Sequence, residues 1–248
     1  MPAWIAIAAA TLLEARRTRV VWLFALAALG GLVLARFAGA VSLTETAPTQ
    51  AVLLGAVLRV ATVLVTAGFA IHSVAREADS GQRDLYLALA LPRPMYALAK
   101  FAGCLPLALA AAAAAGLLLA WIAPPAACAV WALTLAGEAA IVLAFALFCA
   151  LGLRSALAAS SATVAFYLLA RSSGSLLLLA AHAGQPAQLG ARALAALLPR
   201  LDQCARSEWL AYGAPSADAV LLCLGQAGVY LVLLGAAAAY DLQRRELA

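Results

Sequence analysis

Residues 74–100 read VAREADSGQRDLYLALALPRPMYALAK. Seven of the chain's 27 charges lie between Arg76 and Lys100, and Lys100 is the only lysine in 248 residues. On either side the chain turns apolar. Residues 52–74 read VLLGAVLRVATVLVTAGFAIHSV, and residues 99–122 read AKFAGCLPLALAAAAAAGLLLAWI. A helix needs about 20 apolar residues to cross the hydrocarbon of a bilayer. A charged island between two such runs is therefore the loop between two membrane crossings, and the rest of the chain follows the same rhythm.

Composition agrees with that rhythm. The chain is 67% hydrophobic and 11% charged, with a mean hydropathy of +1.00, whereas a soluble domain is about half apolar and a quarter charged. Six apolar runs are long enough to span: roughly 20–40, 52–74, 99–122, 128–152, 156–182 and 217–240. The expected fold is an all-α polytopic protein, a single transmembrane domain over 1–248, with the lipid bilayer as its solvent. The net charge of +5 sits mostly in short loops beside these runs, so it sets orientation and is no footprint of nucleic acid.

The N-terminus, MPAWIAIAAATLLEARRTR, carries its charge after its apolar part, the reverse of a secretory signal. Residues 1–19 are expected to form a helix in the membrane interface, with Trp4 and Ile5 toward lipid and Arg16, Arg17 and Arg19 at the headgroups. With six crossings both termini share one side. That side carries ten basic residues: Arg16, Arg17, Arg19, Arg76, Arg83, Arg93, Lys100, Arg154, Arg244 and Arg245. The other carries five: Arg36, Arg59, Arg192, Arg200 and Arg206. Excess Lys and Arg mark the cytoplasmic face, so both termini and the segment 75–98 are expected there, in a cytoplasmic (inner) membrane.

The extracytoplasmic segment 183–216 is long for a simple connection. Leu194, Leu197, Leu198 and Leu201 recur at helical spacing, and Pro199 interrupts them. Asp202 is placed to cap a second short helix, with Arg206 one turn on. Trp209 and Tyr212 suit the outer headgroup belt. Two short helices in the outer leaflet are the expectation, and a solvated loop is the plainer alternative. Of the five cysteines, Cys104, Cys128, Cys149 and Cys223 lie in apolar runs and read as small buried hydrophobes. Cys204 lies in a polar stretch with no evident partner.

Several chemistries fit poorly. A nucleotide-binding P-loop needs a lysine after glycine and before Ser or Thr, but Lys100 stands in ALAKFAG. Ser172, Ser173 and Ser175 precede His182, yet seven residues of helix set Ser175 and His182 about 10 Å apart, too far for a nucleophile and its base. Small residues that let helices approach are the better reading of those serines. The two histidines and scattered acids form no usual metal site. The chain is expected to be no enzyme by itself and to hold no cofactor or metal.

The charged island reads as a helix from Arg76 to Tyr86, with Asp79 and Arg83 four residues apart in the favourable order. Pro92 and Pro94 then break it and fix the chain direction. Its charges mix both signs beside an apolar run, which suits docking on a protein better than on anionic lipid.

The run READSGQRDLYLALALPRPMYALAKFAG resembles the loop after the second span in permeases of type-2 ABC exporters. Their pattern there is roughly Arg-Glu, polar residues, a leucine-rich stretch, a Pro/Arg element, an aromatic and Gly-Lys. The matching positions are Arg76-Glu77, Leu85 to Leu91, Pro92 to Pro94, Tyr96 and Lys100. Ala99 replaces the family's glycine, which weakens the match at that point. Residues 197–215, LLPRLDQCARSEWLAYGAP, resemble the outer segment of the subgroup associated with copper-enzyme maturation.

The resemblance implies a permease subunit of an ABC transporter, paired with a second permease subunit over separate ABC ATPase subunits that bind ATP and Mg. It also implies that a cytoplasmic coupling helix between spans two and three enters a cleft of the ATPase. Arg76, Glu77, Asp79, Arg83 and Asp84 would make that contact, with Pro92 and Arg93 as a stiff lever. The alternative is a module that transmits ATPase motion to an envelope protein without carrying solute. The segment 183–216 discriminates, as a lid over an exit or as a dock for that partner. The cargo is not named by any residue.

Two charges lie inside spans. A charge within the bilayer costs about 2.5–3.5 kcal/mol on insertion scales and needs a partner. Glu138 precedes the turn at Arg154 by 16 residues and Arg171 follows it by 17. Both stand about 24–26 Å above that turn, so an intramembrane Glu138–Arg171 pair is expected, either on a translocation path or simply holding the hairpin together.

Overall fold

A computed structural model describes residues 3–41, 46–82, 93–153, 155–181 and 185–244. Nine α-helices and one 3-10 turn make up the described residues, without a strand. They are α1 Ala3–Arg17, α2 Val20–Val41, α3 Thr46–Asp79, α4 Arg93–Leu119, α5 Pro125–Gly152, α6 Ala156–Ala181, α7 Gln185–Leu197, the 3-10 turn Leu201–Gln203, α8 Glu208–Tyr212 and α9 Ala217–Arg244. Six of them, α2 to α6 and α9, are long and apolar enough to cross a membrane.

The six spans differ in how far protein surrounds them. In the most apolar window of α5, 67% of residues are buried, against 17% in α6 and 11% in α9. So α5 is the centre and α6 and α9 lie at the rim. Around α5 pack α3, α4, α6 and α9. Rim helices show leucine and valine outward, as lipid-facing surfaces do: Leu221, Val232 and Leu233 on α9, Leu157 and Leu179 on α6.

Small residues make the close contacts. On α2 the buried positions are Ala28, Gly31, Ala35 and Gly39, one helical stripe laid on α3. A β-carbon at Gly31 would meet the Val57 side chain at 3.0 Å, so Val57 and Leu54 pack straight onto the bare glycine of α2. A β-carbon at Gly103 on α4 would come within 2.8 Å of the Ala8 carbonyl oxygen and of Thr11. That contact seats α1 on α4 through Ile7, Thr11 and Ala15, all buried.

The span boundaries shift in one informative place. α3 has 34 residues, a length of about 51 Å against about 30 Å of hydrocarbon, so it projects beyond the bilayer. The expected helix Arg76–Tyr86 is interrupted: Arg76 and Glu77 belong to the last turns of α3, and Gly81 has a φ of +70°, the left-handed conformation in which glycine stops a helix. Arg93 and Pro94 open α4, where proline is at home in the first turn. Arg83, Asp84 and Pro92, and with them most of the segment expected to hold a coupling helix, lie outside the described residues, as do Arg154 and His182.

The outer segment also differs in detail. α7 occupies 185–197 and carries Leu194 and Leu197 as the spacing required. Asp202 caps no helix but sits inside the 3-10 turn. The second short helix, α8, starts at Glu208, because the chain between bends at Cys204 and Ala205, where hydrogen bonds from α3, α5 and α6 hold it.

Candidate functional site

Two polar networks stand out against the apolar interior, one at each end of the bundle, inner and outer in the orientation expected from the basic residues.

The inner network joins α1, α3 and α4. Lys100 is fully buried, and Glu77 and Tyr96 nearly so. Lys100 Nζ lies 2.6 Å from Glu77 Oε1, and the Tyr96 hydroxyl donates to Glu77 Oε2 at 2.6 Å. Lys100 also donates to Ser73 Oγ at 2.8 Å, and Ser73 in turn donates to Glu14 Oε2 at 3.0 Å. The Arg76 guanidinium pairs with the other oxygen of Glu14. Ser73 and Glu77 are one helical turn apart on α3, as are Tyr96 and Lys100 on α4, so each helix presents two polar groups on one face. Burial in low dielectric makes the pair strong once formed and costly to break.

This geometry separates the residues expected to act together. Glu77 faces inward to Lys100. Arg76 is half-exposed and tied to Glu14, while Asp79 is exposed. Lys100, read from the sequence as one more cytoplasmic charge, is the hub of the network. Its role was not visible because a lysine at the edge of an apolar run looks the same whether it turns out to water or in to a carboxylate.

The outer network brings Glu138 and Arg171 together. Glu138 is fully buried on α5, and Arg171 Nη1 on α6 stands 3.5 Å from its Oε2. Tyr167 and Arg59 face the same carboxylate. Arg171 does more than pair: it donates to the carbonyl oxygens of Leu201 and of Cys204, the latter at 2.8 Å. Arg59 on α3 and the indole of Trp131 on α5 both donate to the Ala205 carbonyl oxygen at 3.0 Å. The Ala205 amide donates to Thr134 Oγ1 at 3.3 Å.

Ala205 itself has a φ of +46°, sterically costly for a residue with a β-carbon. Three hydrogen bonds from two spans hold it there, so the strain is imposed by the bundle. Residues 201–205 thus form a lid bolted to α3, α5 and α6. A disulfide between Cys204 and Cys223 fastens it to α9 as well, with Cα atoms 5.7 Å apart. Cys223 is therefore not a lone apolar cysteine. Its partner is 19 residues away, and nothing in the spacing marked it. Cys104, Cys128 and Cys149 are free and buried.

Ser173 donates to Asp202 Oδ1 at 3.2 Å, and Asp202 lies over Gly174, where a β-carbon would collide with its carboxylate. The serines of α6 therefore serve contact with the lid and their own helix, Ser172 bonding back to Leu168. Arg59 and Trp131 are the residues missed from the sequence. A lone arginine inside an apolar run was a usable signal for Arg59. Trp131 carried none.

Fold and networks together define a multi-pass helical membrane protein. No protein-family model matches the chain, and no curated protein sequence matches it.

Proposed function

We propose that this chain is the membrane-spanning permease subunit of an ABC transporter, driven by ATP hydrolysed on a separate subunit and working beside a second permease subunit. The observation that carries the reading is the buried Glu77–Lys100–Tyr96–Ser73 cluster, which joins the end of α3 to the start of α4, the two helices that flank the charged segment. It links the inner ends of α1, α3 and α4 into one polar knot. A push on residues 79–93 would reach all three helices together, which is what a force-receiving element needs. In this reading Arg76, Asp79, Arg83 and Asp84 meet the ATPase. Pro92 and Arg93 stiffen the return into α4, and Glu77 acts through the knot, not by touching the partner.

The chain purified from its own cells in mild detergent is expected to retain an ABC-type ATPase subunit. Reversing two charges of this segment, Asp79→Arg with Arg83→Glu, should cut the retained ATPase at least tenfold while leaving the chain folded in the membrane. If the wild-type chain brings down no such subunit, or the reversed chain keeps it fully, the partnership is wrong.

The orientation proposed has both termini cytoplasmic. It is supported by the Cys204–Cys223 disulfide in the 183–216 region, since disulfides persist in oxidising compartments outside the cytosol. A green fluorescent protein fused after Ala248 should fluoresce, and an alkaline phosphatase at the same point should stay inactive; an active phosphatase there would reverse the topology.

A further inference from the structure

Between the outer parts of α3 and α6 and the chain from Arg200 to Tyr212 lies a cleft of about 1170 Å3. Four guanidinium groups line it: Arg59, Arg171, Arg200 and Arg206. Two carboxylates, Asp202 and Glu208, line it too, so the four cations outnumber the acids in the wall, although Asp202 acts on Arg171 through space. Asp202 accepts from Ser173 and covers Gly174. Among the described residues no ion pair joins either acid to the four arginines.

The two inner arginines keep donors in reserve. Arg59 commits Nη1 to Ala205, while its Nε is shut off from solvent without a hydrogen-bond partner. Arg171 makes both lid bonds and the Glu138 contact through Nη1 alone. A buried donor left unmatched is costly, and a guest that draws the Arg59 guanidinium toward the cleft would relieve that cost. Guanidinium groups suit such a guest because their planar forks grip phosphate or carboxylate in two-point fashion. The remaining wall is mixed, with Thr49, Ser175 and Ser207 beside an apolar side. Leu53, Leu177 and Leu178 line it, and Leu178 is 72% exposed. Tyr212, at the rim, is exposed as well.

We infer that this cleft binds the anionic head of an amphipathic molecule, a phosphate-type oxyanion held by Arg59, Arg171 and Arg200, with its hydrocarbon chain against Leu53, Leu177 and Leu178. Binding at this place does not depend on the ATPase partnership. Only the further step of naming the guest as cargo rests on that reading.

The test uses the full chain purified in a neutral maltoside detergent, with thermal unfolding as the readout. Dioctanoyl phosphatidic acid should raise Tm saturably by several degrees, since a ligand that binds only the folded state stabilises it with concentration. Dioctanoyl phosphatidylcholine, with the same tail and a neutral head, should leave Tm unchanged. Arg59→Gln should weaken the phosphatidic acid effect at least tenfold in half-saturating concentration. Should Arg59→Gln unfold the lid, Arg200→Gln with Arg206→Gln, on exposed side chains, should weaken it at least threefold. An equal shift from both lipids, or a shift untouched by these substitutions, overturns the site. An equal shift from inorganic phosphate alone overturns the amphipathic guest. None of these assays contains ATP or an ATPase, so their failure leaves the transporter reading standing, and loss of that reading leaves them interpretable.

Discussion

Lys100→Met is expected to lose most of the folded protein. Lys100 is fully buried and is the only cation within ion-pair distance of Glu77 among the described residues. Removing one member of a buried pair strands the other charge, at a cost of about 3–5 kcal/mol. Methionine matches the stem in volume, so packing is spared and the loss reports the charge. The diagnostic result is the second variant. Lys100→Met combined with Glu77→Gln should recover most of the stability, since a neutral amide can still accept from Tyr96 and no ion is left alone. Monodisperse yield after heating, read by fluorescence-detected size exclusion, separates the cases. If the single variant survives heating as the wild type does, or the double variant is no better than the single, the knot is not what holds α3 to α4.

The second large effect is at Arg171. Arg171→Met should cost more than Glu138→Gln, for a reason visible only in three dimensions. Losing Arg171 leaves Glu138 buried on α5 and also frees the carbonyls of Leu201 and Cys204. Taking the ion-pair partner from a buried carboxylate costs about 3–5 kcal/mol, lessened here by Arg59 and Tyr167, which still face it, and each unmatched carbonyl adds to it. Losing the Glu138 charge leaves Arg171 still bonded to two carbonyl oxygens, a loss expected near 1–2 kcal/mol. Exchanging the two residues, Glu138→Arg with Arg171→Glu, should therefore fail to restore the wild type, because a carboxylate at 171 has nothing to donate to the lid. Recovery of full thermal stability by the exchange would mean that the ion pair is the whole role of Arg171.

These two sites were legible to different degrees. The Glu138–Arg171 neighbourhood could be anticipated by counting residues from one hairpin turn, since a rise of 1.5 Å per residue converts sequence distance into depth. The count put both charges at one level, and they stand 3.5 Å apart. What counting could not reach was the lid. Ala205 is an alanine in a polar stretch, and its left-handed conformation follows from Arg59, Trp131 and Thr134, residues more than 70 positions away. The inner knot was half legible. Tyr96 and Lys100 were marked by position in a recognisable pattern, but the inward turn of Glu77 toward them depends on how α3 and α4 pack. The helix expected across Gly81 failed for a local reason, because glycine there adopts the left-handed turn that ends α3.

By itself the sequence determined the medium and the helices: apolar runs this long can be satisfied only in lipid, and in lipid a chain must bond its own backbone, so six spanning helices follow from composition and length. Only the tertiary structure decided which charges meet, which cysteines join, and where the outer segment is pinned. Those outcomes depend on the azimuth of one helix against another, which close contacts of glycine and alanine set, and a string of residues does not carry that angle.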